Sequence, residues 1–539
     1  MRQSIHFLWS VFFSFALLIS CGTKKQVRPP FIPQKPILGT TPYEKEEALT
    51  SFQINAKKNL PPREMRGVWL TSIYGLDWPK TPANSIQNQE KQKRELVALI
   101  DRLYKENYNT VFLQVRHRGD VIYRSTIEPI ARVMTGGKSV YPSYEYDPLQ
   151  IAVEECHKRG MACHAWIVTF PLGNDKQVQT LGSKGIWGKH RNWCIKFDNE
   201  WYLNPGLPQA RNYIASLARE LVASYDIDGI HLDYIRYPDN SNRFPDADTY
   251  KRYGKKFNNI ADWRRDNITK LLECVYDETH EAWPFIQVSA ATLGKYRVLP
   301  QYPNIGWTCF ESVAQDPKAW FLAGAVDFIV PMMYYRNEHF DPFLENWHQE
   351  IAPLGHVVPG IGAYRLEDGS NWNVMDIKRQ IEHIRKMGFS GICFYREENI
   401  RPSKKTNSLH SYLRSSFSTP SVNISFPSSY NSPPLTPRLL QIISTPQKKL
   451  LLSWEMPLQQ TDEATYNLYY RVYTQEGEER FSLLATGINQ CHYEVDLYLL
   501  PSNKLVEFCV EAVNRHNVAG PVSTAQLYFV QSVEANSLN

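Results

Sequence analysis

The stretch DGIHLDYIRYP, from Asp228 to Pro238, places groups capable of chemistry in an otherwise apolar segment. The run GIHLDYI is typical of a buried β-strand, yet His231 and Asp233 lie within it and Arg236 follows it. Removing a carboxylate from water costs free energy unless it is hydrogen-bonded or has a functional role. Asp233 is therefore a candidate catalytic group, and the alternative is an ion pair with Arg236 or His231 that closes the end of the strand.

Polar and aromatic side chains also occur at the ends of other strand-like runs. They are Arg116 and Asp120; His164 and Trp166; Tyr237; Glu311 and Asp316; Tyr334 and Tyr335; Tyr364; Tyr395 and Glu397. Two carboxylates flanked by aromatic platforms suit the cleavage of a glycosidic bond. The pattern predicts a ring-lined polar pocket and a polysaccharide substrate, without a cofactor.

Eight strand-like runs, each followed by a helix-like segment, lie between residues 61 and 417. The runs are 65–72, 110–116, 162–170, 229–237, 285–293, 327–335, 356–365 and 391–396. They are nearly continuously apolar, as expected for strands covered on both faces. Eight such units predict an α/β fold, the (β/α)8 TIM barrel, whose carboxyl strand ends share one functional face. An open doubly wound sheet would need a Gly-rich dinucleotide turn, and the sequence has none.

The composition changes after Phe417. Residues 418–434 form a Ser/Pro-rich linker, and residues 435–532 contain short alternating strands separated by turns. The order LSW, YNLYYRV and FCVEAVNRHNVAGP resembles a fibronectin type III module, a small all-β immunoglobulin-like sandwich, with Trp454 as its core tryptophan. We expect this module to act as a spacer or to contact a protein or glycan.

The N-terminus has the features of an export signal. A short apolar run from Phe7 to Ile19 precedes Cys21, and the LISC sequence resembles a bacterial lipobox. Residues 1–20 are predicted to be a lipoprotein signal peptide, Cys21 the acylated residue, and 21–60 a Pro-rich tether. The alternative is a plain signal peptide with a chance cysteine. The lipobox predicts a membrane partner through the lipid anchor, and the lack of an acidic run after Cys21 favours a periplasm-facing outer-membrane location.

Charge and cysteine usage exclude other classes of function. The net charge is only +5 and no basic block with interleaved aromatics occurs, so a nucleic acid partner is not expected. The nine cysteines show no CxxC spacing, which argues against structural zinc. In an exported protein some cysteines can pair, and Cys491 with Cys509 is one candidate pair.

The ordered motifs resemble those of the bacterial glycosyl hydrolase-like 10 family, also known as domain of unknown function 187. The motifs are REMRGVWLTSIYGLDWP, QVRHRGDVIYRS, YDPLQIAVEECHKRGMACHAW, WYLNPGLPQARNYI, DGIHLDYIRYP, DWRRDNI and DFIVPMMYY, spanning about residues 63–400. The resemblance implies an exported, often lipid-anchored barrel, and a relative cuts peptidoglycan strands stripped of stem peptides. By the same resemblance, recurring family positions fall on Arg116, Asp120, His164, Trp166, Asp233 and Asp316.

The chain departs from this pattern at the predicted catalytic face. Many relatives have two aspartates on the fourth strand, whereas Tyr234 follows Asp233 here, and the fifth strand ends in SAATLGKYRVLP. The fourth strand is also similar to the signature of family-18 chitinases, but Ile235 occupies the position of the acid. Isoleucine cannot donate a proton, so the acid must come from another residue or be absent.

The leading hypothesis is a glycoside hydrolase acting on N-acetylated cell-wall glycan. Asp233 would be the nucleophile or the charge-stabilising carboxylate, and Asp316 or Glu311 the proton donor, with a pKa raised by burial against Trp307 and Phe310. Other residues would bind the sugar, by hydrogen bonds or by stacking: Arg116, Asp120, His164, Trp166, His231, Arg236, Tyr237, Tyr334, Tyr335, Tyr364, Tyr395 and Glu397.

Two other classes of function compete with this hypothesis. The first is a non-catalytic glycan-binding lipoprotein that has lost its acid. The second is a metal-dependent polysaccharide deacetylase, which would need a ligand set such as His164, His231 and Asp233; the spacing of these residues does not favour a metal site.

Overall fold

The computed structural model describes residues 49–302, 306–336, 339–426, 433–457, 464–474, 477–478 and 480–531. The predicted signal peptide, Cys21 and most of the predicted tether lie outside these ranges, as do residues 427–432 of the predicted linker. Within the described ranges, no helix combines the length and the apolar character needed to span a bilayer.

Parallel strands close into an eight-stranded barrel, which confirms the predicted fold class. The barrel strands are β1 (Met65–Leu70), β2 (Thr110–Arg116), β3 (Ala162–Val168), β7 (Gly229–Asp233), β8 (Gln287–Leu293), β9 (Phe328–Met332), β10 (His356–Val357) with β11 (Gly360–Gly362), and β12 (Gly391–Tyr395). Strand β12 pairs with β1, and β9 pairs with both β8 and the interrupted strand β10–β11, so the cylinder is complete. The strands are buried almost throughout, which explains their continuous apolar runs.

Each barrel strand is followed by a helix of the outer ring, as the sequence predicts. The ring helices are α2 (Ile86–Lys105), α4 (Pro148–His157), α7 (Pro208–Ser224), α9 (Ile260–Ala282), α11 (Pro317–Leu322), α12 (Asp341–Glu350), α13 (Val374–Lys386) and α15 (Asn407–Ser416). Shorter helices are α1 (Ser51–Asn59), α3 (Arg132–Thr135), α5 (Asp175–Leu181), α6 (Ile186–Lys189), α8 (Ala247–Tyr253), α10 (Cys309–Ser312) and α14 (Glu397–Ile400).

The long loop after β3 carries a small antiparallel sheet that the sequence did not predict. Its strands are β4 (Pro171–Gly173), β5 (Cys194–Phe197) and β6 (Glu200–Leu203), paired in the order β4-β6-β5. Because this loop follows the carboxyl end of a barrel strand, the small sheet lies on the face where the predicted site is found.

The segment predicted as a linker packs under the barrel in its first half. Ile424 and Phe426 join the interior cluster that includes Phe328, and the Phe426 ring lies 5.4 Å from that of Phe328. His356 Nε2 is 3.0 Å from the carbonyl oxygen of Ser425. Residues 421–426 therefore help to fill the amino-terminal end of the barrel, opposite the end where the strands have their carboxyl termini.

The C-terminal module is all-β, as predicted. Its strands are β13 (Arg438–Ser444), β14 (Lys449–Glu455), β15 (Thr465–Thr474), β16 (Gly477–Glu478), β17 (Ser482–Ile488), β18 (His492–Asp496), β19 (Lys504–Val513), β20 (Ala519–Val522) and β21 (Gln526–Val530). Trp454 is buried in its core. The predicted pairing of Cys491 with Cys509 is wrong, because both are free thiols and only Cys509 is buried.

The module contacts the barrel through charged groups. Arg63, which precedes β1, lies 3.5 Å from Glu511, and Arg515 forms an ion pair with Asp226. Helix α1 also packs on the module, with the rings of Phe52 and Phe481 6.4 Å apart.

Candidate active site

Two histidines occupy the barrel interior, one layer below its mouth. The indole Nε1 of Trp69 donates to His231 Nε2 at 3.1 Å, and His231 Nδ1 is 2.9 Å from Ser289 Oγ. This pairing assigns the proton of a neutral ring to Nδ1, and burial lowers the His231 pKa well below its ordinary value.

His164 is equally buried in this layer. Neither of its ring nitrogens has a hydrogen-bond partner among the described residues. Its ring packs between Phe112 and Phe328, at centroid distances of 5.1 and 5.6 Å, and burial lowers its pKa to about 4. Both histidines are uncharged and fully buried, His231 within hydrogen bonds and His164 among aromatic rings, which corrects the expectation that they contact sugar.

Asp233 ends β7 at the mouth of the barrel. Its side chain is only 6% exposed, and both carboxylate oxygens accept hydrogen bonds. Trp166 Nε1 donates to Oδ2 at 3.1 Å, and the backbone N–H of Tyr234 donates to Oδ1 at 2.7 Å. Burial raises the pKa of Asp233, while the positive charge of Arg236 and the two hydrogen bonds oppose that rise. The expected stacking role of Trp166 is corrected, since its buried indole holds the carboxylate instead.

Three tyrosines from separate strand ends come together beside Asp233. The rings of Tyr334 and Tyr395 are nearly parallel at 5.7 Å, and Tyr364 meets them edge-on at 5.7 and 5.8 Å. The Tyr334 hydroxyl is buried without a hydrogen-bond partner among the described residues. Burial raises its pKa well above the ordinary value, and the charge of Asp233 adds to that rise.

The chain turns sharply after Asp233. Tyr234 adopts a left-handed backbone (φ 51°) that leaves its ring 41% exposed. The Arg236 guanidinium carbon lies 4.5 Å from the centre of that ring, and its buried Nη1 has no partner in the described part of the chain. Arg236 is thus placed between the mouth of the barrel and the loop that follows.

Asp239 is a carboxylate in this loop that the sequence reasoning missed. It is partly buried, and its Oδ1 has no hydrogen-bond partner among the described residues. Burial raises its pKa, and the charge of Arg236 opposes the rise. The positive charge of Arg236 therefore acts on both carboxyl groups, Asp233 and Asp239, and opposes the rise in the pKa of each. The sequence did contain a signal for Asp239. It is the next residue after Pro238, which ends the stretch that pointed to Asp233.

The two predicted proton donors lie elsewhere on the face. Asp316 caps α11, accepting from the backbone N–H of Ala319 at 3.3 Å, and its Oδ1 is 3.4 Å from the Tyr296 hydroxyl. Glu311 is exposed and accepts from Thr308 Oγ1 at 2.7 Å.

The expected burial of Glu311 is wrong. Trp307 is 50% exposed, and the ring of Phe310 is covered by the guanidinium groups of Arg265 and Arg297 at 3.9 and 4.0 Å. Neither Glu311 nor Asp316 makes a hydrogen bond or ion pair with the residues that hold Asp233.

Arg116 and Glu397 are also placed differently from expectation. Arg116 forms a buried two-point ion pair with Glu128, with 2.8 and 2.7 Å contacts, and donates to the carbonyl groups of Val168 and Thr169. Glu397 is buried between Arg102 and Arg401, at 2.5 Å from each. Both side chains are buried and paired within the protein, which does not favour the expected direct contact with sugar.

The remaining predicted residues divide between core and face. Tyr237 is buried, and its hydroxyl accepts from Asn267 at 3.2 Å, so it belongs to the core. The Tyr335 ring lies 4.4 Å from Lys295 Nζ. Asp120 Oδ1 is 3.3 Å from His117 Nδ1 at the edge of a cavity after β2.

The residues proposed for a metal-dependent deacetylase do not form a compact ligand set. In the part of the chain that the structure describes, no three His, Cys, Asp or Glu side chains are grouped so as to hold a metal ion. His231 is engaged by Trp69 and Ser289, and His164 lies among phenylalanine rings.

The chain is similar in sequence to proteins named glycosyl hydrolases. The chain is 29% identical over 494 residues to glycosyl hydrolase YngK of Bacillus subtilis (strain 168), a match that covers 86% of this chain and 93% of that protein. It is 28% identical over 383 residues to glycosyl hydrolase DigH of Escherichia coli (strain K12), covering 65% of this chain and 87% of the relative.

The glycoside hydrolase domain of PgaB (BpsB) from Bordetella bronchiseptica aligns with a TM-score of 0.46 and 15% identity, over 66% of this chain and 99% of that domain. The model of the family described as glycosyl hydrolase-like 10 matches residues 64–372, which is more than half of the sequence. The chain therefore belongs to the glycosyl hydrolase-like 10 family.

Proposed function

We propose that the protein is an exported glycoside hydrolase that cleaves N-acetylated cell-wall glycan, with peptide-free peptidoglycan strands as its substrate. Family membership and relatives named glycosyl hydrolases support glycan hydrolysis. The observation that carries the finer proposal is that the Asp233 carboxylate lies close enough to Tyr334 to raise the pKa of its phenol, whose hydroxyl has no hydrogen-bond partner among the described residues.

These two groups are complementary to an acetamido group. An amide has one N–H donor and one carbonyl acceptor, which match a carboxylate acceptor and a phenol donor. A buried phenol without a partner is costly in the free protein, so a substrate group that accepts its hydrogen bond is favoured. Tyr364 and Tyr395 provide ring faces beside it for stacking on a pyranose.

The chemistry needs a second, proton-donating group. Asp239 suits this role better than Asp316 or Glu311, because burial keeps its acid form populated to higher pH and its Oδ1 has no hydrogen-bond partner among the described residues. In the proposed reaction Asp239 protonates the glycosidic oxygen, the bond from that oxygen to the anomeric carbon breaks, and ionised Asp233 stabilises the positive charge. Water then supplies the hydroxyl of the new reducing end and returns a proton to Asp239.

Hydrolysis of peptide-free strands by matched variants tests the proposal. The wild type and Asp233→Asn are incubated with strands from which an amidase has removed the stem peptides, and the products are identified by mass spectrometry. Asp248→Asn is the control, since Asp248 is exposed and forms a surface ion pair with Lys251 at 3.2 Å. We expect new reducing ends with the wild type and the control, and a loss of at least about a hundredfold with Asp233→Asn. Undiminished cleavage by Asp233→Asn would remove Asp233 from the mechanism.

A glycan-binding lipoprotein without activity is the second candidate. Ile235 stands where family-18 chitinases carry their acid, and its side chain is fully buried in the core. This candidate predicts that the wild type retains the strands on a pull-down and releases no shorter products. Release of oligosaccharides that depends on Asp233 would exclude it.

Export and lipid anchoring belong to the same proposal, with Cys21 as the acylated residue, the outer membrane as its location and the periplasm as its compartment. The support is the sequence of the N-terminus. Metabolic labelling with a fatty acid, together with membrane fractionation of the wild type and Cys21→Ser, tests the anchor. Equal labelling of the two proteins would contradict it. The fibronectin type III-like assignment of the C-terminal module, and its contact with a protein or glycan, are likewise proposed.

A further inference from the structure

A cavity of about 270 Å³ opens on the loops that follow β1, β2 and β3. Its lining combines three cationic side chains, Arg118, Arg132 and Lys176, with the apolar side chains of Ile73, Val133 and Leu181. These loops follow carboxyl ends of barrel strands, so the cavity lies on the same face as Asp233. None of the groups already assigned to bond cleavage lines it.

The charges around this cavity do not cancel. Arg118 is paired with Glu200 at 2.6 Å, and Asp120 is 3.3 Å from His117. Arg132 and Lys176 are exposed, and none of the described residues forms an ion pair with either. Asp120 also lines the cavity, but Arg132 and Lys176 leave an excess of positive charge above an apolar floor, which suits an anionic group carried on an organic ring.

Two exposed tyrosines connect this cavity with the barrel mouth. Tyr74 and Tyr234 both have a left-handed backbone, with φ values of 57° and 51°, and their rings are 65% and 41% exposed. Arg118 is close enough to interact electrostatically with both. Bulky residues adopt this conformation at a cost, and such residues concentrate at ligand sites. Gln177 fixes the Tyr74 hydroxyl with a 2.8 Å hydrogen bond at the edge of the cavity.

We infer that Tyr234, Tyr74 and the cavity lined by Arg118, Arg132 and Lys176 form a subsite for a sugar unit that carries a free carboxylate. The inference rests on the proposed function and names the substrate feature that the enzyme reads beside the cleavage point. In a peptide-free strand the lactyl substituent ends in a carboxylate, whereas a stem peptide converts that group into a neutral amide. The subsite therefore favours strands without peptides by charge as well as by size.

A change in the substrate tests the inference without altering the protein. Peptide-free strands are compared with the same strands after their carboxylates have been coupled to methylamine through a carbodiimide. We expect kcat/KM to fall about tenfold on amidation, from the loss of two exposed charge contacts. Added salt should lower cleavage of the free-acid strands towards that of the amidated ones, because exposed charges are screened.

Variants of the cavity test whether Arg132 and Lys176 cause the preference for the free carboxylate. Arg132→Gln combined with Lys176→Gln should lower kcat/KM about fivefold on the free-acid strands and leave the amidated strands unaffected. Lys93→Gln, an exposed lysine on α2, is the control and should match the wild type on both. Equal cleavage of the two substrates by the wild type would overturn the inference. An equal loss on both substrates in the double variant would also overturn it.

Failure of the subsite can be told apart from failure of the proposed hydrolysis. Should the wild type cleave neither substrate, the proposed hydrolysis is rejected. Calorimetric binding of the same two strand preparations to the wild type then tests the subsite alone. A Kd about tenfold lower for the free-acid strands, lost in the double variant, supports the subsite, and equal affinities reject it.

Discussion

The indole Nε1 of Trp166 donates a 3.1 Å hydrogen bond to Oδ2 of Asp233, from one strand to its neighbour in the barrel. The register sets Trp166 opposite His231, two residues before Asp233, so the indole leans towards the mouth of the barrel. The second oxygen accepts from the backbone N–H of Tyr234. The carboxylate is therefore held at both oxygens before any substrate arrives, which is the preorganisation that charge stabilisation requires.

Replacing Trp166 by Phe should impair catalysis more than binding. A hydrogen bond to a charged group contributes about 1.5–3 kcal/mol, so we expect kcat to fall about ten- to a hundredfold with little change in KM. Because this hydrogen bond lowers the pKa of Asp233, its removal should move the acidic limb of the kcat profile to higher pH. Trp320→Phe is the control, since that buried indole N–H has no partner in the described chain. An unshifted profile in Trp166→Phe would separate the hydrogen bond from catalysis.

Replacing Tyr334 by Phe separates substrate recognition from stability. The change removes only a buried hydroxyl that has no partner among the described residues, so the free energy of unfolding should stay constant or rise by about 1 kcal/mol. If the hydroxyl binds the acetamido group, kcat/KM should fall at least about tenfold on N-acetylated strands. Tyr108→Phe is a matched control, because Tyr108 also has a buried hydroxyl without a partner but lies in the core. Equal activity of Tyr334→Phe and Tyr108→Phe would contradict the role.

The barrel and the position of Asp233 were accessible from sequence because both follow from periodic patterns. Continuous apolar runs alternating with amphipathic helices determine the closed parallel cylinder, and the polar residue at the end of the fourth run had to lie at its mouth. The same reasoning placed Tyr334, Tyr364 and Tyr395 on one face, where the structure brings their rings within 6 Å of one another.

The site residues were predicted wrongly where the regular alternation of side chains along a strand ends. The strand ends at Asp233, and the left-handed turn at Tyr234 breaks the alternation, so Tyr237 points into the core. Arg116 was expected at the site, but its partner Glu128 lies in the irregular loop that follows, where spacing carries no geometric information. Asp239 was missed for the same reason.

Asp239→Asn distinguishes the proposed proton donor from the ones expected from sequence. Loss of the acid should lower kcat at least about a hundredfold and remove the basic limb of the pH profile, since no proton can then be lost from this position. Burial raises the pKa of Asp239, so in the wild type this limb should lie above the ordinary range of aspartate.

Asp316→Asn is the informative comparison for that experiment. Asp316 caps α11, and weakening the cap should cost about 1 kcal/mol or less of stability and leave the pH profile intact. The assignment fails if Asp316→Asn loses the basic limb while Asp239→Asn keeps it.

The pH dependence of stability should reveal a partly buried ion pair between His157 and Asp228. His157 Nε2 lies 2.9 Å from Asp228 Oδ2, which also accepts from the backbone N–H of Cys163 at 2.7 Å. Burial alone would raise the pKa of Asp228, but the charge of His157 and these hydrogen bonds bring it down to about 2. The pKa of His157 is raised by Asp228 despite the opposing effect of burial.

The signs of these shifts define a window of stability. The contribution of Asp228 is present above its unfolded pKa of about 4 and is lost as the pH falls towards 2. The contribution of His157 is complete below its unfolded pKa of about 6.5 and is lost as the pH rises through the higher folded value. Asp228→Asn should therefore lower the free energy of unfolding by about 2 kcal/mol at pH 5 in denaturant titrations, and much less at pH 2. Asp248→Asn provides the baseline, and a deficit in Asp228→Asn that stays constant from pH 5 to pH 2 would rule out a titrating pair.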